Sequence, residues 1–189
     1  MNTPAHLIIG LAAFSKPAQR RVTWAAGIGA IAPDLSLYLM AGASLTVLQI
    51  PPEVVFGQLY FSAGWQQVFA IDNSFLLWGL LLAFMLWRAA PAGIAFAGAA
   101  LLHLALDFPL HHDDGRPHFW PATDWIFASP LSYWDGDHHA AWVAPAEGIL
   151  ALVCAGVLIR RHRGYVIPML CGALLVMEYM VIRSWLLFF

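Results

Sequence analysis

Charge is what this sequence lacks. Only 11% of its 189 residues are Asp, Glu, Lys or Arg, against about 25% in an ordinary soluble domain. A water-soluble fold of this length cannot cover its surface with so few charges, and 61% of the residues are hydrophobic, with a mean hydropathy of +0.70. A net charge of −2 gives no field for a polyanion, so nucleic acid is excluded as a partner. Cysteine is nearly absent as well. Cys154 and Cys171 both sit inside apolar runs and read as small buried hydrophobes, which excludes a disulfide scaffold or a redox pair. The first residues carry no positive cluster and no small-residue cleavage site follows them, so a removable signal peptide is not expected. There is no internal repeat and no low-complexity tract.

What is present is apolar sequence in helix-length pieces. Six segments stand out, at about 4–14, 22–48, 73–88, 91–109, 140–159 and 165–187. A helix needs roughly 20 mostly apolar residues to cross the hydrocarbon core, so the first is too short to span alone. The expected fold class is all-α: a polytopic helical membrane bundle of five to six apolar helices, forming a single domain over residues 1–189, with the bilayer as its partner. Pro17, Pro51-Pro52, Pro91, Gly115, Pro121, Pro130 and Gly164 punctuate the junctions.

The cations set an orientation. Lys16, Arg20 and Arg21 follow the first segment, Arg88 the third, and Arg160, Arg161 and Arg163 the fifth. If each segment crosses once, these turns share one side, which the positive-inside rule makes cytoplasmic. Arg116 and Arg183 are the exceptions. The long connections at about 49–72 and 110–139 then lie on the opposite, outer side. They carry Trp65, Trp120, Trp125 and Trp134, and tryptophan favours headgroup depth, so they are expected to be interfacial loops. The implied location is a membrane, crossed several times.

Histidine and aspartate are distributed unevenly against this background. His103 and Asp107 stand four apart in an apolar helix, on one face and about 6 Å from each other. Ionisable groups inside a membrane helix are costly unless paired or hydrated. A His–Asp hydrogen bond joining two helices is the plain alternative to a ligand pair. Residues 109–139 hold five of the eight histidines and five of the eleven acids, a mixture that suits zinc, manganese or non-haem iron. His6 opens the first segment on the same side. Asp34 lies 13 residues past Arg21, about 20 Å along a helix, beside a Pro33 that favours a helix break. His138 and His139 open the fifth segment, with Glu147 two turns deeper on the face of His139. The candidate metal ligands are therefore His6, Asp34, His103, Asp107, His111, His112, His138 and His139. Asp113 and His118 are candidates for proton transfer, and Arg116, alone among the loop's charges in being positive, for binding an anionic group. Asp72-Asn73-Ser74 reads as a helix N-cap, Glu178 as an ion-pair partner of Arg183, and His162 as a solvated side chain.

His6, Ala32-Pro33-Asp34, His103-x3-Asp107, Gly115 and Trp120-Pro121 together resemble the membrane-bound metal-dependent hydrolases of the LexA-regulated inner-membrane type, over roughly residues 4–125. The same order of motifs is more distantly similar to zinc-dependent phospholipase C and the single-strand nucleases. The resemblance implies a divalent metal cofactor, Zn²⁺ first with Mn²⁺ or Fe as alternatives. It also implies a hydrolase acting on a phosphoester or lipid substrate at the periplasmic face, with His6, Asp34, His103 and Asp107 as ligands and His111 or His112 next. That family usually has Thr-His-Ser where this chain has Asp72-Asn73-Ser74, so one histidine is missing and one or two ions are expected. The alternative function is a non-enzymatic metal-binding or scaffold subunit of a membrane complex.

Overall fold

Proline and small residues decide where the helices of the computed structural model start, break and touch. The structure describes residues 1–188. Helix α1 (Thr3–Phe14) has Pro4 in its first turn, where a missing N–H costs nothing. Helix α2 (Arg20–Ile31) passes through a 3₁₀ turn at Ala32–Asp34 into α3 (Leu35–Thr46), so the break expected at Pro33 is present. Pro91 opens α7 (Pro91–Asp107), and Pro109 follows two residues beyond its end, where a further helical turn would clash. Before it, α6 (Phe75–Trp87) is capped by Ser74, whose Oγ accepts from the Leu77 N–H at 3.1 Å. The last two helices, α8 (Ala140–Arg161) and α9 (Val166–Phe188), match the expected fifth and sixth segments.

The connection at 49–72 differs from expectation. It is largely helical: α4 (Pro52–Val54) runs into a π-turn at Val55–Leu59, and α5 (Ala63–Asp72) follows. Gln66, Gln67 and Asp72 mask its apolar face, yet Trp65, Val68 and Phe69 recur at three- and four-residue spacing, the signature of a helix. Residues 63–87 together form one apolar stretch of spanning length.

Among the described residues, four stretches are long and apolar enough to cross a membrane: 20–46, 63–87, 140–161 and 166–187. Their outer faces are apolar, with Trp24, Leu39, Leu80, Leu152 and Val176 all exposed. The two shorter apolar helices, α1 and α7, occupy the centre. α7 packs on α2 and α6, and α1 packs on α2, α7, α8 and α9. Small residues allow this. A Cβ on Gly29 of α2 would lie 2.1 Å from the Phe96 carbonyl oxygen of α7, and one on Gly98 would lie 2.6 Å from the Phe14 ring. Helices surrounded by lipid gain little from hydrophobicity alone, so close backbone approach is what holds them together.

The two ends of the bundle are chemically distinct. At the basic end, Arg161 donates to the Ala12 carbonyl at 2.7 Å and His162 contacts Ser15 at 2.9 Å. His162 is therefore bonded to the bundle, where the sequence suggested simple solvation. At the other end the Asn2 N–H donates to Glu147 at 2.5 Å and its amide donates to Glu178 at 3.1 Å. Glu178 is buried and bonded to Asn2, while Arg183 is exposed; the expected Glu178–Arg183 pair is replaced by this contact. Asn2 thus ties α1, α8 and α9 together beside the polar site.

Candidate metal centre

The two central helices carry the site. His6 projects from the first turn of α1, and His103 and Asp107 from successive turns at the end of α7. All three are at most 6% exposed. His6 Nε2 lies 2.9 Å from Asp107 Oδ1, and His103 Nε2 lies 3.1 Å from Asp107 Oδ2. The two imidazoles stack with centroids 3.6 Å apart and planes 12° from parallel. One donor atom from each residue falls within 4.8 Å of the others, close enough to share a metal ion.

Hydrogen bonding fixes the tautomer of His103. Its Nδ1 lies 2.7 Å from the Ala30 carbonyl oxygen, so Nδ1 carries the proton of the neutral ring. Nε2 then presents a lone pair to Asp107, and to Asp34 Oδ2 at 3.7 Å. A lone pair facing two carboxylates in a buried site calls for a cation, either a second proton or a metal ion. Close packing of α2 on α7 at Gly29 brings the Ala30 carbonyl into place. A ligand histidine held through its other nitrogen by a carbonyl is the usual arrangement around metals.

Asp107 gathers more positive groups. The Met1 amino group contacts its Oδ1, and His111 Nε2 lies 3.6 Å from Oδ2. His111 Nδ1 is in turn 2.9 Å from Asp114. Burial works against a charge on His111, but Asp107 and Asp114 outweigh it and hold its pKa at about 9. Burial raises Asp114, and the facing His111 more than reverses this, so its carboxyl stays below the usual range.

These groups open onto a cavity of about 350 Å³. Its far wall carries Arg116, His118 and Asn73. The Arg116 guanidinium lies over the rings of Phe69 and Tyr60, 4.1 and 4.6 Å from their centroids, and its Nη1 is buried without a hydrogen-bond partner. His118 Nδ1 donates to the Arg116 carbonyl at 2.8 Å, which leaves a buried, unpartnered Nε2. Burial depresses the His118 pKa to about 4, so this ring is neutral near pH 7. Asn73 donates to the carbonyls of Pro33 and Phe69 at 3.2 and 3.1 Å.

Of the residues named from sequence, His6, Asp34, His103, Asp107 and His111 converge, and Arg116 and His118 face the same cavity. The others lie outside its lining. Asp113 is exposed, and its neighbour Asp114 is the acid that faces inward. His112 and His138 form a separate stacked pair, with centroids 3.6 Å apart. His139 is exposed, with a left-handed backbone (φ 70°) just before α8. Sequence reasoning passed over Asp114 and Tyr38. Both were accessible by spacing: Asp114 is three residues after His111, and Tyr38 is one turn after Asp34, to which its hydroxyl donates at 3.1 Å.

Comparisons with protein-family models, with curated proteins and with solved structures found no match to this chain. What stands is a helical protein with four stretches of membrane-spanning length and a buried His–His–Asp group with the geometry to hold a metal ion.

Proposed function

We propose that this chain is a multi-pass protein of the bacterial inner membrane that hydrolyses a phosphoester or related ester with a divalent metal, Zn²⁺ before Mn²⁺ or Fe. The observation that carries this reading is the His103 Nε2 lone pair, fixed by the Ala30 carbonyl and facing Asp107 and Asp34. His6, His103 and Asp107 hold the ion, with Asp34 and His111 within reach of the same space. Three protein ligands and an open position are the pattern of catalytic rather than structural zinc. A zinc ion in such a site lowers the pKa of a bound water to about 7 and polarises the scissile group. Arg116 offers an anionic substrate a planar donor set, and the neutral His118 offers Nε2 as a proton acceptor. The exposed Asp113 leaves the inward-facing proton work to His118 and Asp114. The likeness of the His6, Ala-Pro-Asp and HxxxD motifs to the membrane-bound hydrolases supports the same assignment. Seven of the nine basic residues cluster at the opposite end of the bundle, which supports a periplasmic site by the positive-inside rule.

A second reading is a metal-binding or scaffold subunit without hydrolytic activity. Asn73 favours it, because that side chain is used for bonds to the backbone at the position where the family would place a ligand. Metal analysis of the purified protein, together with hydrolysis of a chromogenic phosphoester, separates the two. Stoichiometric metal with activity lost in Asp107→Asn supports the enzyme; stoichiometric metal without turnover supports a metal-binding subunit; folded protein that takes up no metal overturns the enzyme and leaves the scaffold.

A further inference from the structure

The cavity has two kinds of wall. Beside the polar groups, it is bounded by Leu37 and Tyr38 of α3 and by Met177, Val181 and Trp185 of α9. Tyr38 and Met177 line the cavity and are also 40% and 53% exposed. Part-exposed lining residues on both helices put an opening to the surface between them. α3 packs on α5 and the π-turn, whereas α9 packs on α8 and α1, so the helices flanking the opening belong to different sides of the bundle. The surface beside the opening is apolar: Leu39, Val176 and Met180 are each more than 60% exposed.

Depth supports the same direction of access. Asp34 is 14 residues past Arg20, Glu147 is 14 before Arg161, and His103 is 12 past Pro91. At 1.5 Å per residue these are about 21, 21 and 18 Å from the basic end. A hydrocarbon core is about 30 Å thick. The polar groups thus lie below its far boundary, at a level where a lateral opening faces acyl chains.

We infer that the ligand of this cavity is an anionic lipid, its phosphate head on Arg116 and its tail leaving through the gap between α3 and α9. The head has a partner of matching charge in Arg116, whose Nη1 is buried and unsatisfied, with the unpartnered His118 Nε2 beside it. The size agrees. About 350 Å³ is at the lower end of ligand pockets, enough for a headgroup and too small for acyl chains, which must lie along the apolar faces outside. This deepens the proposed function by naming the substrate class, and rests on that reading only in placing the head beside the metal group.

The test uses the full chain, treated with chelator so that no turnover consumes the probe, in nanodiscs of phosphatidylcholine containing a minor fraction of phosphatidic acid. Lipid retained after extraction is counted, and binding of glycerol phosphate is measured in parallel. Wild type is expected to retain phosphatidic acid about tenfold over phosphatidylcholine, the scale of one charged hydrogen bond. Arg116→Gln should abolish that preference. Val181→Trp, or Leu37→Trp should the first fold poorly, should abolish it while leaving glycerol phosphate binding intact; Leu80→Trp, on the exposed face of α6, should leave it unchanged. Retention unaffected by either blocking variant overturns the inference, as does displacement of phosphatidic acid by equimolar glycerol phosphate, which would make the ligand a soluble phosphoester. Zinc content measured on the same preparations before chelation keeps the two readings apart: zinc with no lipid preference sinks only the lipid, and lipid preference without zinc sinks only the hydrolase.

Discussion

Two pairs of histidines in this molecule share one geometry and differ in nearly everything else. His6–His103 and His112–His138 both stack with centroids 3.6 Å apart. In both, a ring nitrogen is held by an acceptor: His103 by the Ala30 carbonyl, His112 by the Ser129 carbonyl at 2.6 Å, and His138 by Asp135 at 2.5 Å. The first pair is buried between two helices with Asp107 directly against both rings. The second lies in a loop, with side chains of His138 and Asp135 29% and 22% exposed. Water can solvate whatever charge the second pair carries, so nothing there demands a cation. The first pair has no such outlet. Burial, and not the number of histidines, makes one pair a candidate site.

The strongest way to break the comparison is Asp107→Asn. It removes the one carboxylate that both buried rings share and leaves the loop pair untouched. Metal affinity is expected to fall by on the order of 100-fold or more, since even outer partners of ligands are worth 10–100-fold. Isothermal titration of the chelated protein with zinc measures it. Unchanged affinity would move the metal to His112 and His138.

Gly29→Ala comes next, because it attacks the packing that positions the buried pair. Its Cβ would meet the Phe96 carbonyl oxygen at 2.1 Å, forcing α2 and α7 apart and drawing the Ala30 carbonyl from His103. Overpacking of this kind costs about 1–3 kcal/mol, and loss of the carbonyl should cost about tenfold in zinc affinity. Thermal unfolding in detergent and zinc titration read the two effects separately. A variant as stable as wild type would show that the helices are not held by this contact.

The difference between the two pairs also marks what the sequence could reveal. Helices and their breaks were legible at Pro33, Ser74 and Pro91, where backbone chemistry is local. The buried group was legible because His103 and Asp107 are one turn apart and because the basic turns place His6 and Asp34 at the same level. His112, His138 and Asp113 were misleading, since a loop carries no period to say which side chains face inward. α5 was hidden by Gln66 and Gln67, and the lateral gap was invisible because it depends on which helices pack against which.

His118 sharpens the comparison from another direction, being 3% exposed yet without a carboxylate against it. Burial, helped by the nearby His111 and Arg116, takes its pKa from 6.5 to about 4, whereas His111, which has Asp107 and Asp114, goes the other way to about 9. Between pH 6.5 and 4 the unfolded chain binds a proton at this position that the folded chain refuses. Stability from His118 is therefore complete above pH 6.5 and is lost as pH falls toward 4. His118→Gln should flatten that part of the acid transition, by a few degrees in Tm. An acid transition identical to wild type would mean the ring is hydrated.

The smallest effect is expected at the loop pair itself. His138→Ala removes one stacked ring and its bond to Asp135, but both partners are part-exposed and water replaces what is lost. Stability should change by no more than about 0.5 kcal/mol, as at other surface positions, and zinc affinity should stay within about twofold. The result matters because the two pairs are indistinguishable by ring geometry. A large loss of zinc in His138→Ala, with none in His6→Ala, would mean that the loop pair is the metal site and that burial has been given too much weight. Loss in His6→Ala alone would mean that the deciding feature is the lone pair trapped against Asp107, which no exposed histidine in this chain reproduces.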